Sequence, residues 1–504
     1  MRNAFVIAGG VIFAALFVAT PGSTARASVT TVNDGAALQA ALNAALPGDT
    51  ILLNAGATYV GHFTLPARAG SDTRPITLQT AGPDAIPEGR RMSPSVATKL
   101  AKLRSPDSQA VLATAPGAKY WRVALIEFLP NADPASDIIT LGDGSNAQHT
   151  LDLVPSDITI DRVYIHGDPD RGQKRGIALN SSRTTITNSY ISDIKIAGQD
   201  SQAIAGWNGP GDYTIENNYL EGAGENVIFG GTDPAILNLV PTHITIRDNT
   251  ISKPASWRGS KWQVKNLIEL KNAIDVTVDK NVFERNWTAA QNGFAILLTV
   301  RNQDGGCPWC EVRHVVFTGN VVRDVEAGIN ILGTDDTHPS RSTSDVVFRD
   351  NIFDGVGGGY FLMMTHNPKS ITFDHNTIVA SNFSGIMTVD DVSDGFVFTN
   401  NITPVGQYGI FATEKGIGND AIRANLPGAP VSGNVLAGAS ANSYPAGNFF
   451  PSVTDLQGQF VDPAAHDYRL KPGTKFKGAG TDGKDPGANG NNGAPLSVLQ
   501  PVRR

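Results

Sequence analysis

The sequence has little cysteine, little charge and no long apolar run beyond its first residues. Only two of the 504 residues are Cys, too few for disulfide bonds to hold together a chain of this length. Charged residues make up 17% of the chain, against about a quarter in ordinary globular proteins. The formal net charge is −7, which argues against nucleic acid as a partner.

The N-terminus has the features of an export signal. Arg2 is followed by an apolar stretch over residues 4–19, and Ala25-Arg26-Ala27 is a small-x-small cleavage motif. We therefore predict a signal peptide over residues 1–27 and an exported protein, periplasmic or extracellular. No later stretch approaches about 18 consecutive apolar residues, so we expect no membrane span after cleavage.

What the chain does have is glycine and a recurring phrase. The 53 Gly residues, with Asn, Thr and Val crowding the middle, disfavour helix bundles and favour short strands joined by turns. A phrase of the type Thr-Ile-Arg-Asp-Asn-Thr-Ile recurs, with Asn at its fifth position in seven of nine copies. The copies cover residues 159–165, 185–191, 214–220, 245–251, 277–283, 316–322, 347–353, 372–378 and 397–402.

Each phrase predicts two short strands that meet at a bend. Alternating apolar residues bury one face of each strand, and Asn at the bend tolerates a left-handed backbone. Its amide group can bond to the Asn of the neighbouring repeat. Further apolar segments, among them residues 226–229, 266–270 and 294–298, precede the bends. Strands at this spacing without intervening helices stack in parallel.

This pattern resembles the right-handed parallel β-helix of the pectate-lyase-like superfamily over most of residues 50–480. The resemblance implies an all-β, single-stranded right-handed parallel β-helix. Residues 34–46 predict a short N-terminal cap helix that blocks one end of the stack. We predict an N-terminal cap over 28–49, the β-helix over 50–439 and an irregular C-terminal wrap over 440–504.

Charge concentrates on the two longest coils, between Asn249 and Asn320. If Ile268 and Leu270 point inward, Glu269 and Lys271 point outward, and Arg301 follows the equivalent strand of the next coil. Lys271 and Arg301 are then neighbours on one face. The residues predicted to bind substrate on or beside this face are Arg258, Lys261, Lys265, Glu269, Trp207 and His338.

A lyase acting on a uronic-acid polysaccharide needs a cation for the carboxylate, a base for the adjacent proton and an acid for the leaving oxygen. Lys271 and Arg301 resemble the Lys base and Arg acid of the chondroitinase B and alginate lyase family. That resemblance implies a Ca²⁺ site, for which Asn266 and Glu269 are the available ligands. Arg301-Asn302-Gln303 stands where the family has Arg-His-Gly. No other cofactor is expected.

Other interpretations stay open. Glu269 and Lys271 also fit an ordinary ion pair on a solvated face, and Asp335-Asp336 fits a remnant of a pectate lyase Ca²⁺ site. The absence of a Gly-His-Gly segment excludes a polygalacturonase-type hydrolase. Cys307 and Cys310 favour a small disulfide or free thiols in a loop over a redox motif.

Residues 202–211, 224–231 and 293–298 also resemble exported bacterial proteins known only for their β-helix repeats, a likeness that implies no activity. The sequence therefore predicts a monomeric exported β-helix protein whose partner is an acidic polysaccharide. It binds this polymer and cleaves it by β-elimination, or else it is a non-catalytic surface or carbohydrate-binding protein.

Overall fold

The chain winds as a right-handed parallel β-helix. The computed structural model describes residues 26–82, 86–380 and 382–488. Each coil contributes one strand to each of three sheets, here called S1, S2 and S3 in the order in which a coil visits them. Almost every strand pairing is parallel and joins successive coils, which confirms the predicted fold class.

The three sheets account for nearly all the strands. S1 contains 14 strands: Val29–Val32, Thr50–Leu53, Ile76–Thr80, Lys119–Ala124, Ser156–Asp161, Ser182–Thr187, Gly211–Glu216, Thr242–Arg247, Ala273–Asp279, Val312–Thr318, Thr343–Arg349, Lys369–Asp374, Val397–Thr399 and Val431–Ser432. S2 contains 13 strands: Thr58–Val60, Ala101–Arg104, Ile126–Phe128, Tyr164–His166, Tyr190–Ile194, Tyr219–Gly222, Thr250–Ser252, Val282–Asn286, Val321–Val325, Ile352–Val356, Thr377–Ala380, Ile402–Pro404 and Val435–Ala437. S3 contains 13 strands: Phe63–Leu65, Leu112–Thr114, Asp137–Leu141, Arg175–Leu179, Gln202–Gly206, Glu225–Phe229, Asn266–Leu270, Phe294–Thr299, Ala327–Leu332, Tyr360–Thr365, Gly385–Val389, Ile410–Ala412 and Gly416–Ile417.

The recurring phrase is the corner between S1 and S2. Its Asn side chains form a continuous buried ladder, in which Asn281 donates from its backbone N–H and from Nδ2 to Oδ1 of Asn320, at 2.9 and 3.0 Å. This confirms the predicted bonding between repeats. The left-handed residue, however, is the one before the Asn: Lys280 has φ 53°. The prediction of a left-handed Asn was wrong, because the preceding residue makes the corner and the Asn amide fills the stack.

Both ends of the stack are covered. The helix Gly35–Ala44 is capped by Asp34, whose carboxylate accepts from the Ala37 N–H at 2.8 Å, and its Leu38 and Leu42 are fully buried. At the other end, the helix Asn419–Asn425 packs against the last coil, and Gly416–Ile417 pairs antiparallel with Ile410–Ala412. The predicted cap helix is therefore present. The strand Val29–Val32, inside the predicted cap segment, is already the first strand of S1.

The C-terminal segment covers the outer face of S2. Leu456, Phe460, Tyr468, Leu470 and Phe476 pack on outward apolar residues of that sheet. Composition predicted an irregular segment from residue 440, but it carries ordered elements. They are the helix Val453–Gln457, the antiparallel strands Phe460–Asp462 and Asp467–Leu470, and the 3₁₀ turns Ala441–Ser443 and Pro463–Ala465. Elsewhere in the described residues, 3₁₀ turns are formed by Pro94–Lys99, Leu151–Leu153 and Ala255–Trp257.

No helix in the described ranges is long and apolar enough to cross a membrane. Residues 1–25, which hold most of the predicted signal peptide, lie outside the described residues. S2 is covered over its later coils by the C-terminal segment, whereas S3 carries an open groove.

Candidate functional site

One outward row of S3 sets the floor of the site. The strand register aligns residues of successive coils along the helix axis; they are Thr140, Ala178, Ala205, Ile228, Glu269, Leu297, Asn330, Met363 and Thr388. Glu269 is the charged member of this row. Its neighbours Ile268 and Leu270 are in the core, as the alternation predicted, and Glu269 and Lys271 line the groove above S3.

The groove lies along several coils of S3. Its main part has a volume of about 860 Å³, with Arg175 and Trp207 on the earlier coils and Glu225, Glu269 and Lys271 on the later ones. A smaller part, of about 320 Å³, shares Glu269 and Lys271 with it and continues to Arg301 and Asn330. The two parts together offer an extended surface for a linear polymer.

Lys271 and Arg301 face the same part of the groove. They follow equivalent strands of consecutive coils, and the Arg301 N–H donates to the Lys271 carbonyl oxygen at 3.0 Å. Both side chains have carboxylate partners. Lys271 Nζ lies 2.9 Å from Glu269 Oε1, and Arg301 contacts Asp335 at 2.9 Å and also Asp336. The sequence-predicted pair is therefore brought together, with each cation held by acidic groups.

A second charged cluster lies beside this pair. Lys265 Nζ contacts Asp200 Oδ2 and lies 3.6 Å from Glu225 Oε1. Glu225 also accepts from Gln202 Nε2 at 2.9 Å. Burial raises the pKa of Glu225 to about 7, and the charges of Glu269 and Asp200 add to this.

Glu269 differs from Glu225 in its surroundings. Burial acts to raise the pKa of Glu269, but the Lys271 ammonium and hydrogen bonds from Lys271, Asn266 and Thr299 outweigh it, so that the pKa is lowered. The two buried carboxyl groups, on consecutive coils, therefore have pKa values shifted in opposite directions. Shifted groups of this kind in a groove are typical of functional sites.

An aromatic surface completes the earlier part of the groove. Trp207 is half-buried, its Nε1 donates to the Gly144 carbonyl at 2.9 Å, and the Arg175 guanidinium lies 4.9 Å from its ring centroid. A Cβ on Gly144 would lie 2.1 Å from the Trp207 ring, so glycine is required there. Arg175 is itself fixed by Asp137 at 2.7 Å.

Three predicted substrate-binding residues lie away from these groove parts. Arg258 and Lys261 are on the loop before Asn266–Leu270, where Arg258 covers Trp287 and Lys261 donates to the Asp170 carbonyl. His338 contacts the Asn302 carbonyl oxygen at 3.0 Å through Nδ1. The predicted residues Lys265, Glu269 and Trp207 line the main groove.

Sequence reasoning missed Asp200, Gln202 and Glu225. Glu225 is the first residue of the strand Glu225–Phe229, and the strand register pairs it with Asn266. That register depends on loop lengths, which differ from coil to coil. The signal in the sequence is a charged residue at the first position of an S3 strand whose last three residues are apolar.

The implied Ca²⁺ site was tested against these contacts. Ca²⁺ takes six to eight oxygen ligands. Glu269 Oε1 accepts from Lys271 and Thr299, and Glu269 Oε2 accepts from Asn266 Nδ2 at 3.1 Å. Asn266 Nδ2 is thus engaged with Glu269, while Asn266 Oδ1 is a buried oxygen with no hydrogen-bond partner among the described residues. In the described part of the chain, no three His, Cys, Asp or Glu side chains form a group able to hold a metal ion. The donor set does not fit Ca²⁺.

The two cysteines are joined in a disulfide between Cys307 and Cys310. Both are fully buried against the core, although the residues between them form a turn. The disulfide closes a loop directly after Arg301 and Asn302, and the Cys307 N–H donates to Asn302 Oδ1 at 2.7 Å. It therefore helps to fix the edge of the smaller groove.

Comparisons with known proteins agree with this fold. Residues 298–456 match the family described as periplasmic copper-binding protein (NosD). A search of curated proteins gave no match. The PL6 family alginate lyase AlyGC is similar in structure with a TM-score of 0.52 and 15% identity, over 84% of this chain and 53% of that one. The PL6 family polysaccharide lyase Pedsa3628 from Pseudopedobacter saltans has a TM-score of 0.50 and 12% identity, over 88% and 96%. At these identities, the likeness shows the right-handed β-helix fold.

Proposed function

We propose that this protein is an exported polysaccharide lyase that binds an acidic polysaccharide along S3 and cleaves it by β-elimination. The observation that carries the proposal is the position of Lys271 and Arg301, which line one groove from consecutive coils. The structurally similar PL6 proteins are named as polysaccharide lyases, which supports this class of reaction. The match to a periplasmic family supports export.

In this reaction, neutral Lys271 takes the proton from the carbon next to the substrate carboxylate. The electrons of that C–H bond form a carbon–carbon double bond, and the bond to the glycosidic oxygen breaks. Arg301 stabilises the leaving oxygen, which takes a proton from solvent water as it departs, while Lys271 returns the abstracted proton to the solvent. Lys271 Nζ lies 2.9 Å from Glu269 Oε1, which holds this side chain in place at the groove.

Lys174 is the candidate for contacting the substrate carboxylate. Four cations line the main groove, namely Lys174, Arg175, Lys265 and Lys271. The last three have the carboxylate partners Asp137, Asp200 and Glu269. Lys174 forms no ion pair with the described residues, so its charge is available to a ligand. Trp207 offers its ring to a sugar face on the same side.

The test is incubation with alginate, pectate and glycosaminoglycans while the ultraviolet absorbance of an unsaturated uronate product is followed. We expect Lys271→Ala and Arg301→Ala each to lower the rate by about 100-fold or more. Lys280→Ala is the matched control, because Lys280 is 66% exposed at the corner between S1 and S2. Absence of product with every polymer, in the presence and absence of Ca²⁺, contradicts the proposal.

The second candidate function is carbohydrate binding without cleavage. It is favoured by the carboxylate partners of Lys271 and Arg301, which hold both side chains in place. On this hypothesis, the polymer binds and is recovered uncut, and Lys174→Met weakens binding. The length distribution of the recovered polymer distinguishes the two functions.

A further inference from the structure

Three carboxylates crowd the floor of the main groove from three successive coils. Asp200 precedes the strand Gln202–Gly206, Glu225 opens the next S3 strand and Glu269 lies within the one after it. Glu225 and Glu269 are almost fully buried, at 2% and 1% exposure. Buried carboxylates at this density require compensating positive charge or protonation.

The compensating charge is already part of the chain. Lys265 Nζ contacts Asp200 and lies 3.6 Å from Glu225, and its side chain is only 16% exposed. Its backbone N–H donates to the Ala223 carbonyl oxygen at 3.0 Å, so the β-helix ladder fixes where the side chain begins. Burial tends to lower the pKa of Lys265, but Glu225 and Asp200 outweigh this and raise it.

The carboxylate oxygens of this cluster are already in contact with side chains of the protein. Asp200 Oδ1 accepts from Gln263 Nε2 at 2.7 Å, and Glu225 Oε2 accepts from Gln202. With the contacts of Glu269 described above, every carboxylate oxygen of the three faces an ammonium, an amide N–H or a hydroxyl. A divalent cation would have to displace at least one lysine.

We propose that Lys265 is the built-in counter-cation of this groove, and that its ammonium does for Asp200 and Glu225 what a bound cation would otherwise have to do. The groove therefore holds its carboxylates together without Ca²⁺. If the protein is a lyase, as proposed above, chelators should leave polymer cleavage intact, and this consequence rests on the proposed function. The absence of Ca²⁺ binding does not rest on the proposed function, and it can be measured without any polymer.

The experiment compares the full exported chain with Lys265→Met, Lys265→Arg and the control Lys280→Met. Calorimetric titration with CaCl₂ and thermal unfolding in CaCl₂ or EDTA are measured for each. We expect the wild type, Lys265→Arg and Lys280→Met to bind no Ca²⁺ and to unfold at the same temperature in both solutions. Lys265→Met removes the ammonium that contacts Asp200 and Glu225, so it should unfold about 2 °C or more below the wild type, in CaCl₂ and in EDTA alike.

Each result has a defined meaning. Stoichiometric Ca²⁺ binding by the wild type, with loss of stability in EDTA, overturns the proposal. So does a Lys265→Met protein that unfolds at the wild-type temperature. If Lys265→Met does not fold, the titrations of the wild type and of Lys265→Arg still test the proposal, since neither protein should bind Ca²⁺. Failure to cleave any polymer contradicts the proposed function and leaves these titrations unaffected.

Discussion

The protonation of Glu225 gives the fold a pH dependence that can be calculated. Burial first, and then the charges of Glu269 and Asp200, raise the pKa of Glu225 from 4.5 to about 7. A carboxyl group whose pKa is raised on folding stabilises the folded state fully below pH 4.5, and this contribution is lost as the pH rises through 7. The difference between the two values corresponds to about 3 kcal/mol of unfolding free energy.

Glu225→Gln removes this contribution while it keeps the shape of the side chain. Glutamine cannot ionise, and its amide can still pair with Gln202. Between pH 4.5 and 7, the wild type should lose up to about 3 kcal/mol of unfolding free energy relative to the variant. Urea unfolding followed by circular dichroism at several pH values measures this difference directly.

A matched control separates this effect from the loss of any carboxylate. Glu216→Gln changes a partly exposed carboxylate on S1 that pairs with Arg247 at 2.9 Å, and its profile should run parallel to that of the wild type. The comparison is made below pH 7. Burial lowers the pKa of Lys253 to about 7, so above that pH the contribution of Lys253 makes the unfolding free energy rise with pH, opposite to the effect of Glu225. Parallel profiles for wild type and Glu225→Gln would refute the reasoning.

Three further predictions follow from contacts described above or from the same networks. Asn281→Ala leaves the Ile246 carbonyl and the Asn249 N–H without partners, so it should cost about 3 kcal/mol in urea unfolding, and Asn281→Asp should rescue little of this loss. Trp207→Ala should weaken polymer affinity about tenfold in calorimetric titration while the unfolding midpoint stays within a few degrees, since the ring is half-buried. Replacement of both cysteines by Ser should cost about 2 kcal/mol of unfolding free energy, because the closed loop is short, and an unchanged free energy would show that the disulfide contributes nothing.

The repeat made the fold predictable from sequence. Alternating apolar residues specify buried strand faces, and a buried amide at a fixed position of each coil needs a partner, which only the next coil can supply. The Asn ladder and the parallel stacking follow from these two requirements. The helix over Gly35–Ala44 was predictable for a similarly local reason, because Asp34 stands at a helix N-terminus.

The site was predictable only in part. The alternation in Ile268-Glu269-Leu270-Lys271 is local, so the outward direction of Lys271 could be derived. The cluster of Asp200, Glu225 and Lys265 could not, since it depends on which residues of three coils come into register. Loops of unequal length set that register. Which of several nearby charges form an ion pair depends on their distances in the folded protein.

The reversed strand Gly416–Ile417 has a consequence for how long this protein can be. All earlier S3 strands run in one direction, so each offers the next coil the same parallel edge. Gly416–Ile417 offers an antiparallel edge instead, and the helix Asn419–Asn425 lies against it. A coil inserted by duplication beyond this point would find no parallel edge in S3, whereas one inserted before it would. Gain or loss of a coil can therefore change the length of the groove only between the two covered ends, and those ends stay the same.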